Sequence, residues 1–177
     1  WTVRDVPQVF PEPARPPLTR CAQTLWLSTA ADWPAVSRWY WTLCQPRLAA
    51  TSPALTNAVH ACVRGLGTRD EKIRALFRYV SQNIRYMGLT FEDDAPGYEP
   101  HDVRLTFDKK YGVCRDKAAL LAAMLRIAGF EAYPVLIHAG AKMDEEVPLP
   151  YFNHAITGVR APGGRGADKA GYILMDP

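Results

Sequence analysis

The sequence predicts an α+β fold, a buried central helix packed on an antiparallel sheet with an N-terminal helical layer, and three observations carry that expectation. Between Cys114 and Gly129, apolar residues fall at Ala118, Leu121, Met124, Leu125 and Ala128, with Leu120, Ala123 and Ile127 on a second flank. Nearly the whole circumference is apolar, so this helix must be buried. Downstream, runs of strand length start near Ala132, Asn153 and Tyr172, separated by polar or glycine-rich connections. Upstream of residue 85, helical periodicity with start signals recurs three times.

Residues 1 to 20 hold five of the chain's 15 prolines and little periodicity, so residues 1–30 read as an extended linker or the tail of a preceding domain, and residues 31–177 as the folded domain. Thr24 to Ser28 reads as one short strand. Asp32 caps a helix with Pro34 in its first turn and an apolar stripe of Val36, Trp39, Tyr40 and Leu43. Ser52-Pro53 starts a second helix reaching about Val63, before Gly65 and Gly67 break the chain. Thr68 with Glu71 forms a capping box, and Ile73, Leu76, Phe77, Val80 and Ile84 follow at helical spacing, a stripe that needs the central helix as its partner.

Gly88 to Pro100 is acidic and turn-rich, a surface loop. A short helix from about Asp102 to Lys110 leads into Tyr111-Gly112-Val113-Cys114. After Gly129, which suits the left-handed position past a last helical turn, Ala132 to His138 forms a strand whose Pro134 hints at a sheet edge. A polar loop, Ala139 to Pro150, precedes the second strand, and Pro162-Gly163-Gly164-Arg165-Gly166 is the hairpin connection to the third. That segment lacks the Gly-Lys-Ser/Thr ending of a phosphate loop.

At 177 residues, 48% hydrophobic and 22% charged, the chain can bury one sizeable core. Its net charge of +3 comes from scattered basic residues, not the clustered Lys/Arg that nucleic acid requires, and nucleic-acid binding is set aside. The longest apolar runs fall short of the roughly 20 residues of a membrane span. Cys21, Cys44, Cys62 and Cys114 fit no zinc-ligand spacing, so no metal site is expected. Cys44 and Cys62 lie in helical patterns where a buried free thiol is the commoner state, although an even count leaves disulfides open. Because it starts at Trp1 without a leader, the chain reads as a fragment or a processed product.

Cys114 opens the buried helix, where free N–H groups and the helix dipole favour a thiolate. Taken alone it is equally readable as one more small buried hydrophobe. Forty positions on comes His154, and twenty-two beyond that Asp176, the order of a thiolate, its base and an orienting acid. Strand alternation puts His154, Ile156 and Gly158 on one face and Tyr172, Leu174 and Asp176 on one face of the next strand. If Ile156 and Leu174 form the core under the helix, His154 and Asp176 project from that side. His138 is the rival base, while His60 and His101 read as partly exposed polar residues. Asp116, two positions past Cys114, points elsewhere and has a sufficient role in a first helical turn.

The motifs Tyr-Gly-Val-Cys-Arg-Asp-Lys-Ala-Ala-Leu-Leu (111–121), Phe-Asn-His-Ala-Ile (152–156) and Leu-Met-Asp-Pro (174–177) resemble those of bacterial transglutaminase-like cysteine enzymes of the papain-like superfamily. The resemblance covers residues 68 to 177. It implies a papain-like α+β fold following a β-rich domain, a Cys114–His154–Asp176 triad, no cofactor, and acyl transfer on amide or peptide bonds through a thioester. A protein or peptide would be the substrate, resolved by water or by an amine acceptor, with hydrolysis expected to outpace aminolysis. One argument for that expectation is that all five tryptophans lie in the N-terminal quarter, far from the loops that would wall a dry site. A non-catalytic scaffold is the alternative. The resemblance leaves an extracytoplasmic location open. Such enzymes use a side-chain oxyanion donor upstream of the cysteine, for which Gln82, Asn83 and Tyr86 are the candidates.

Overall fold

A computed structural model describes residues 2, 4–8, 10, 12–16, 25–88, 97–140, 145–162 and 171–177. Helix α1 spans Trp33–Ala49, α2 Pro53–Val63 and α3 Arg69–Asn83; β1 (Arg85–Tyr86), α4 (Val103–Lys109) and β2 (Tyr111–Gly112) follow. Helix α5 covers Cys114–Ile127, and β3 (Ala132–Ile137), β4 (His154–Arg160) and β5 (Tyr172–Met175) complete the chain.

The start signals act as expected. Asp32 Oδ1 accepts from the Ala35 N–H at 2.6 Å and Ser52 Oγ from Leu55 at 3.2 Å. Thr68 and Glu71 form the reciprocal box, with Thr68 N–H donating to Glu71 Oε2 at 2.9 Å and Glu71 N–H to Thr68 Oγ1 at 3.2 Å. The α1 stripe differs from expectation. Val36, Tyr40, Cys44 and Leu48 are buried, a strict i, i+4 row, whereas Trp39 is 41% exposed and meets Tyr98 edge-on. Pro46 sits inside α1 without ending it.

Helix α5 is the centre of the core, with Ala118 through Leu125 all buried, and among the described residues it is touched by all four other helices and by β2, β3 and β4. Ile73, Leu76 and Val80 of α3 are buried in the same cluster, as their spacing required. Strands β3, β4 and β5 form one antiparallel sheet in that order, which puts Pro134 on an edge strand. The two-residue parallel pairing of β1 with β2 is too short for a sequence pattern to announce.

Two expectations need correction. Leu25 to Ser28 form no strand; the Ser28 hydroxyl instead donates to the Pro148 carbonyl at 2.6 Å and accepts from the Ala30 N–H, a local turn with no sheet edge beside it. Thr24 lies outside the described residues, as do Glu92, Asp93, Asp94, Asp144, Cys21 and positions 163–166 of the hairpin connection. The second correction concerns the sheet. Thr157 donates through its hydroxyl to the Ala118 carbonyl of α5 at 2.9 Å, so Ala155, Thr157 and Val159 face the helix, not Ile156 and Gly158. Alternation fixes which residues share a face but not which face is inward. Both were apolar because the outer face is covered too, by the aromatic side of α1.

Candidate active site

Cys114 is the first residue of α5, partly exposed and not in a disulfide. The turn that delivers it is fixed from three sides. Lys110 ends α4 in the left-handed region at φ 60°, and its ammonium lies 3.6 Å from the Phe107 ring centroid and 3.2 Å from the Tyr79 hydroxyl. The β1–β2 pairing pins the next two residues, through Arg85 N–H to Lys110 O at 2.8 Å and Met87 N–H to Gly112 O at 3.0 Å. Asp116 then closes the turn from within. Its Oδ2 accepts the Val113 N–H at 3.1 Å, and its Oδ1 takes the His101 backbone N–H at 2.9 Å and meets His101 Nδ1 at 3.0 Å. This carboxylate is 3% exposed.

Gly112 is required by the same packing. A Cβ there would stand 2.7 Å from the Asp116 Cβ, inside any real contact distance. The role of Asp116 exceeds that of a first-turn acid. It ties the loop at His101 to the turn before Cys114.

His154 begins β4 and Asp176 follows β5, and the structure brings them together, with His154 Nε2 2.9 Å from Asp176 Oδ2. The His154 side chain is a quarter exposed and Asp176 is open to solvent. The acceptor-only carboxylate fixes the tautomer. In the neutral ring this puts the hydrogen on Nε2 and leaves the lone pair on Nδ1. Asn153 does not join them; its amide bonds the Ala139 backbone twice, at 2.7 and 3.1 Å, closing the mouth of the β3–β4 connection.

By the same alternation His154 and Asp176 lie on the sheet face turned away from α5, and what links the pair to the first turn of that helix is the charge of Asp176 felt at Lys117. Lys117 is buried, and burial holds its ammonium below the usual lysine range, an effect the Asp176 carboxylate opposes by its charge. The Thr157–Ala118 bond fastens the same part of α5 to β4. Burial pushes the Cys44 thiol up to about 12 and raises Cys62. Both helical cysteines are free, as the sequence suggested.

His138 stacks on Tyr151, centroids 5.7 Å apart, and His60 is exposed on α2. Of the oxyanion candidates, Asn83 donates to the Tyr79 carbonyl of its own helix at 2.9 Å, Gln82 is exposed and Tyr86 is 56% exposed.

A cavity of about 790 Å³ opens between α1 and the outer face of the sheet, walled by Trp33, Tyr40, Trp41, Tyr133, Phe152 and Tyr172 among others. Trp33 meets Phe152 edge-on and donates its indole N–H to the Glu145 carbonyl at 3.1 Å. N-terminal tryptophans therefore do reach the 145–152 segment, contrary to the inference from their place in the sequence. Among the described residues, no group of three or more His, Cys, Asp or Glu is placed to hold a metal, and no helix is long and apolar enough to cross a membrane.

A buried helix with cysteine at its N-terminus, packed on an antiparallel sheet that carries a His–Asp pair, defines a papain-like α+β fold. Residues 56–177 match the transglutaminase-like superfamily, and the chain belongs to that family. No curated protein matches the sequence. Among solved structures the chain is similar to a candidate protease from Parabacteroides distasonis, with a TM-score of 0.56 and 16% identity over 77% of this chain and 25% of that one. It is also similar to a candidate cysteine protease from Cytophaga hutchinsonii, with a TM-score of 0.52 and 20% identity over 75% of this chain and 41% of the other. The chain therefore spans well under half the length of either.

Proposed function

We propose that the protein is a cysteine peptidase or amidase in which Cys114 is the nucleophile, His154 the general base and acid, and Asp176 the residue that orients His154. The observation that carries the reading is the His154 Nε2–Asp176 Oδ2 contact at 2.9 Å, formed by two residues twenty-two positions apart. With Nε2 committed to Asp176, Nδ1 takes the Cys114 proton. The thiolate adds to the carbonyl carbon, and His154 returns the proton to the departing amine as the C–N bond breaks. Water, deprotonated by the same Nδ1, then cleaves the thioester and frees the acid.

Partial exposure of Cys114 and His154 supports water over an amine as the acceptor, because transfer to an amine needs a site that excludes water. The aromatic cavity beside the outer sheet face suits an apolar side chain of a peptide substrate.

Intact-mass analysis with limiting iodoacetamide at pH 7.5 tests the nucleophile, with single labelling at Cys114 expected. At that pH a thiol near 12 holds a few thousand times less thiolate than an ordinary one near 8.5, so Cys44 stays silent. Labelling of Cys62 as fast as Cys114 refutes the assignment. Incubation with a glutamine-bearing peptide and a dansylated amine tests the acceptor. Free acid is the expected product, a predominant amine conjugate overturns hydrolysis, and no product of either kind favours a scaffold.

A further inference from the structure

We propose that the Tyr40 phenol is the side-chain donor of the oxyanion site, hydrogen-bonding to the substrate carbonyl oxygen as Cys114 attacks; this rests on Cys114 being the nucleophile. Tyr40 comes from α1, 74 positions before the cysteine, and is 6% exposed. Its hydroxyl is buried with no hydrogen-bond partner of good geometry among the described residues. Buried hydroxyls almost always find partners, so an orphaned one marks a group whose partner arrives later.

Three features say where that partner sits. Helix α1, which carries Tyr40, packs against α5, which Cys114 opens, and the charge of a Cys114 thiolate is among the influences that oppose ionisation of the phenol. Burial is the largest of these influences and the neighbouring Cys44 thiol, a weak sulfur acceptor one turn on, the next; together they hold the phenol far above the usual tyrosine range. The group therefore stays an O–H donor at any working pH, as stabilising an oxyanion demands. Finally, Tyr40 walls the cavity together with Tyr172 and Leu174, and these two residues share their strand face with Asp176.

In the acylation step the thiolate forms the S–C bond and the carbonyl π pair moves onto oxygen. The Tyr40 O–H and the Cys114 backbone N–H, which lies outside the α5 ladder in its first turn, both donate to that oxygen and keep their protons. The pair then returns as the leaving group departs. Tyr86 and Gln82 are exposed to water and Asn83 is engaged by its own helix, so none of the three matches this combination of burial and an unmet hydrogen.

Tyr40→Phe removes the hydroxyl and little else. Two probes of Cys114 separate its roles. Acetylation by p-nitrophenyl acetate passes through a tetrahedral oxyanion, whereas alkylation by iodoacetamide is a direct displacement that forms none. Peptide mapping of the intact protein should show acetylation of Cys114 slowed on the order of 10²-fold in the variant, with the alkylation rate unchanged. Cys44 should stay unlabelled in both proteins, which reports an intact fold. Unchanged acetylation, or acetylation and alkylation falling by the same factor, overturns the assignment, the latter because Tyr40 would then act on the thiol itself. Labelling of Cys44 in the variant identifies a fold defect, and Tyr40→Trp, whose indole N–H restores a donor, then decides by regaining acetylation or not. A wild-type protein whose Cys114 acetylates no faster than Cys62 refutes the nucleophile, and the inference falls with it.

Discussion

Replacing Asp116 by Asn changes one atom at the hinge of the site, and the structure sets the cost. The carboxylate accepts three contacts through two oxygens, Val113 N–H on one and His101 N–H and Nδ1 on the other. An amide offers one oxygen. Turned toward His101, it presents its NH₂ to the Val113 N–H; turned toward Val113, it presents NH₂ to the His101 backbone N–H. Either way one buried backbone donor is orphaned against another donor, at about 1–3 kcal/mol, and the surviving bond loses its charge assistance, about 1 kcal/mol more. Asp116→Asn should thus destabilise the protein by about 2–4 kcal/mol, a fall in Tm of roughly 4–16 °C for a domain of this size. Escape by sliding is blocked, because the Asp116 Cβ already packs tightly on Gly112, 2.7 Å from where a Cβ on that residue would stand. Urea unfolding followed by circular dichroism measures the loss, with Asp116→Ala as the variant that strands all three contacts and falls further. An Asp116→Asn protein within 0.5 kcal/mol of wild type would mean the carboxylate is replaceable by any polar group and does not organise the turn.

His154→Ala should lower peptidase kcat/KM by roughly 10²–10⁴-fold, while His138→Ala, which removes a ring stacked on Tyr151, leaves it unchanged; the opposite pattern in a steady-state assay would exchange the two roles. Lys117→Met should stabilise the fold by up to about 1 kcal/mol at pH 7, because the buried ammonium is taken out of water. The sign follows from a lowered folded pKa. Below it, lysine is charged in both states and only the folded state bears the desolvation cost; as pH rises through the folded value toward the unfolded 10.5, the folded lysine sheds its proton first and the advantage of Met vanishes. Chemical denaturation at pH 7 and pH 10.5 checks it, and a gain that grows with pH would contradict the cause.

What the sequence showed clearly was local. The capping box at Thr68, the Asp32 and Ser52 caps and the apolar run of α5 from Ala118 to Leu125 each depend on residues within a few positions, and each appears as expected. His154 and Asp176 could be paired because strand alternation puts them on like faces. The inward face of β4 could not be read, since Ile156 and Val159 are both apolar and only the Thr157–Ala118 bond breaks the tie. His101 is partly exposed, as expected, but its bond to Asp116, fifteen positions away across a helix, has no local signal in the sequence. Tyr40 looked like one more member of an aromatic stripe, and what distinguishes it, a buried hydroxyl with no more than a weak sulfur acceptor beside it, is invisible without its surroundings. The tryptophan argument failed for the same reason, distance along the chain having been taken for distance in space.

The His154–Asp176 pair also shows how much of the site depends on strand register. β4 and β5 pair Thr157 with Met175 and Gly158 with Leu174. Continuing that register one step sets Asp176 opposite Ile156, so His154 and Asp176 are diagonal neighbours on one face, a separation that long side chains can bridge. The 2.9 Å contact spans that diagonal. A slip of one residue would send Asp176 through to the face packed on α5, leaving His154 without its anchor and placing a carboxylate beside the buried Thr157. Desolvation makes that slip costly, since it would also drive Ile173 and Met175 out of the core against which they pack. The hydrophobic partition of β5 therefore fixes the register, and the register in turn sets His154 Nε2 within reach of Asp176.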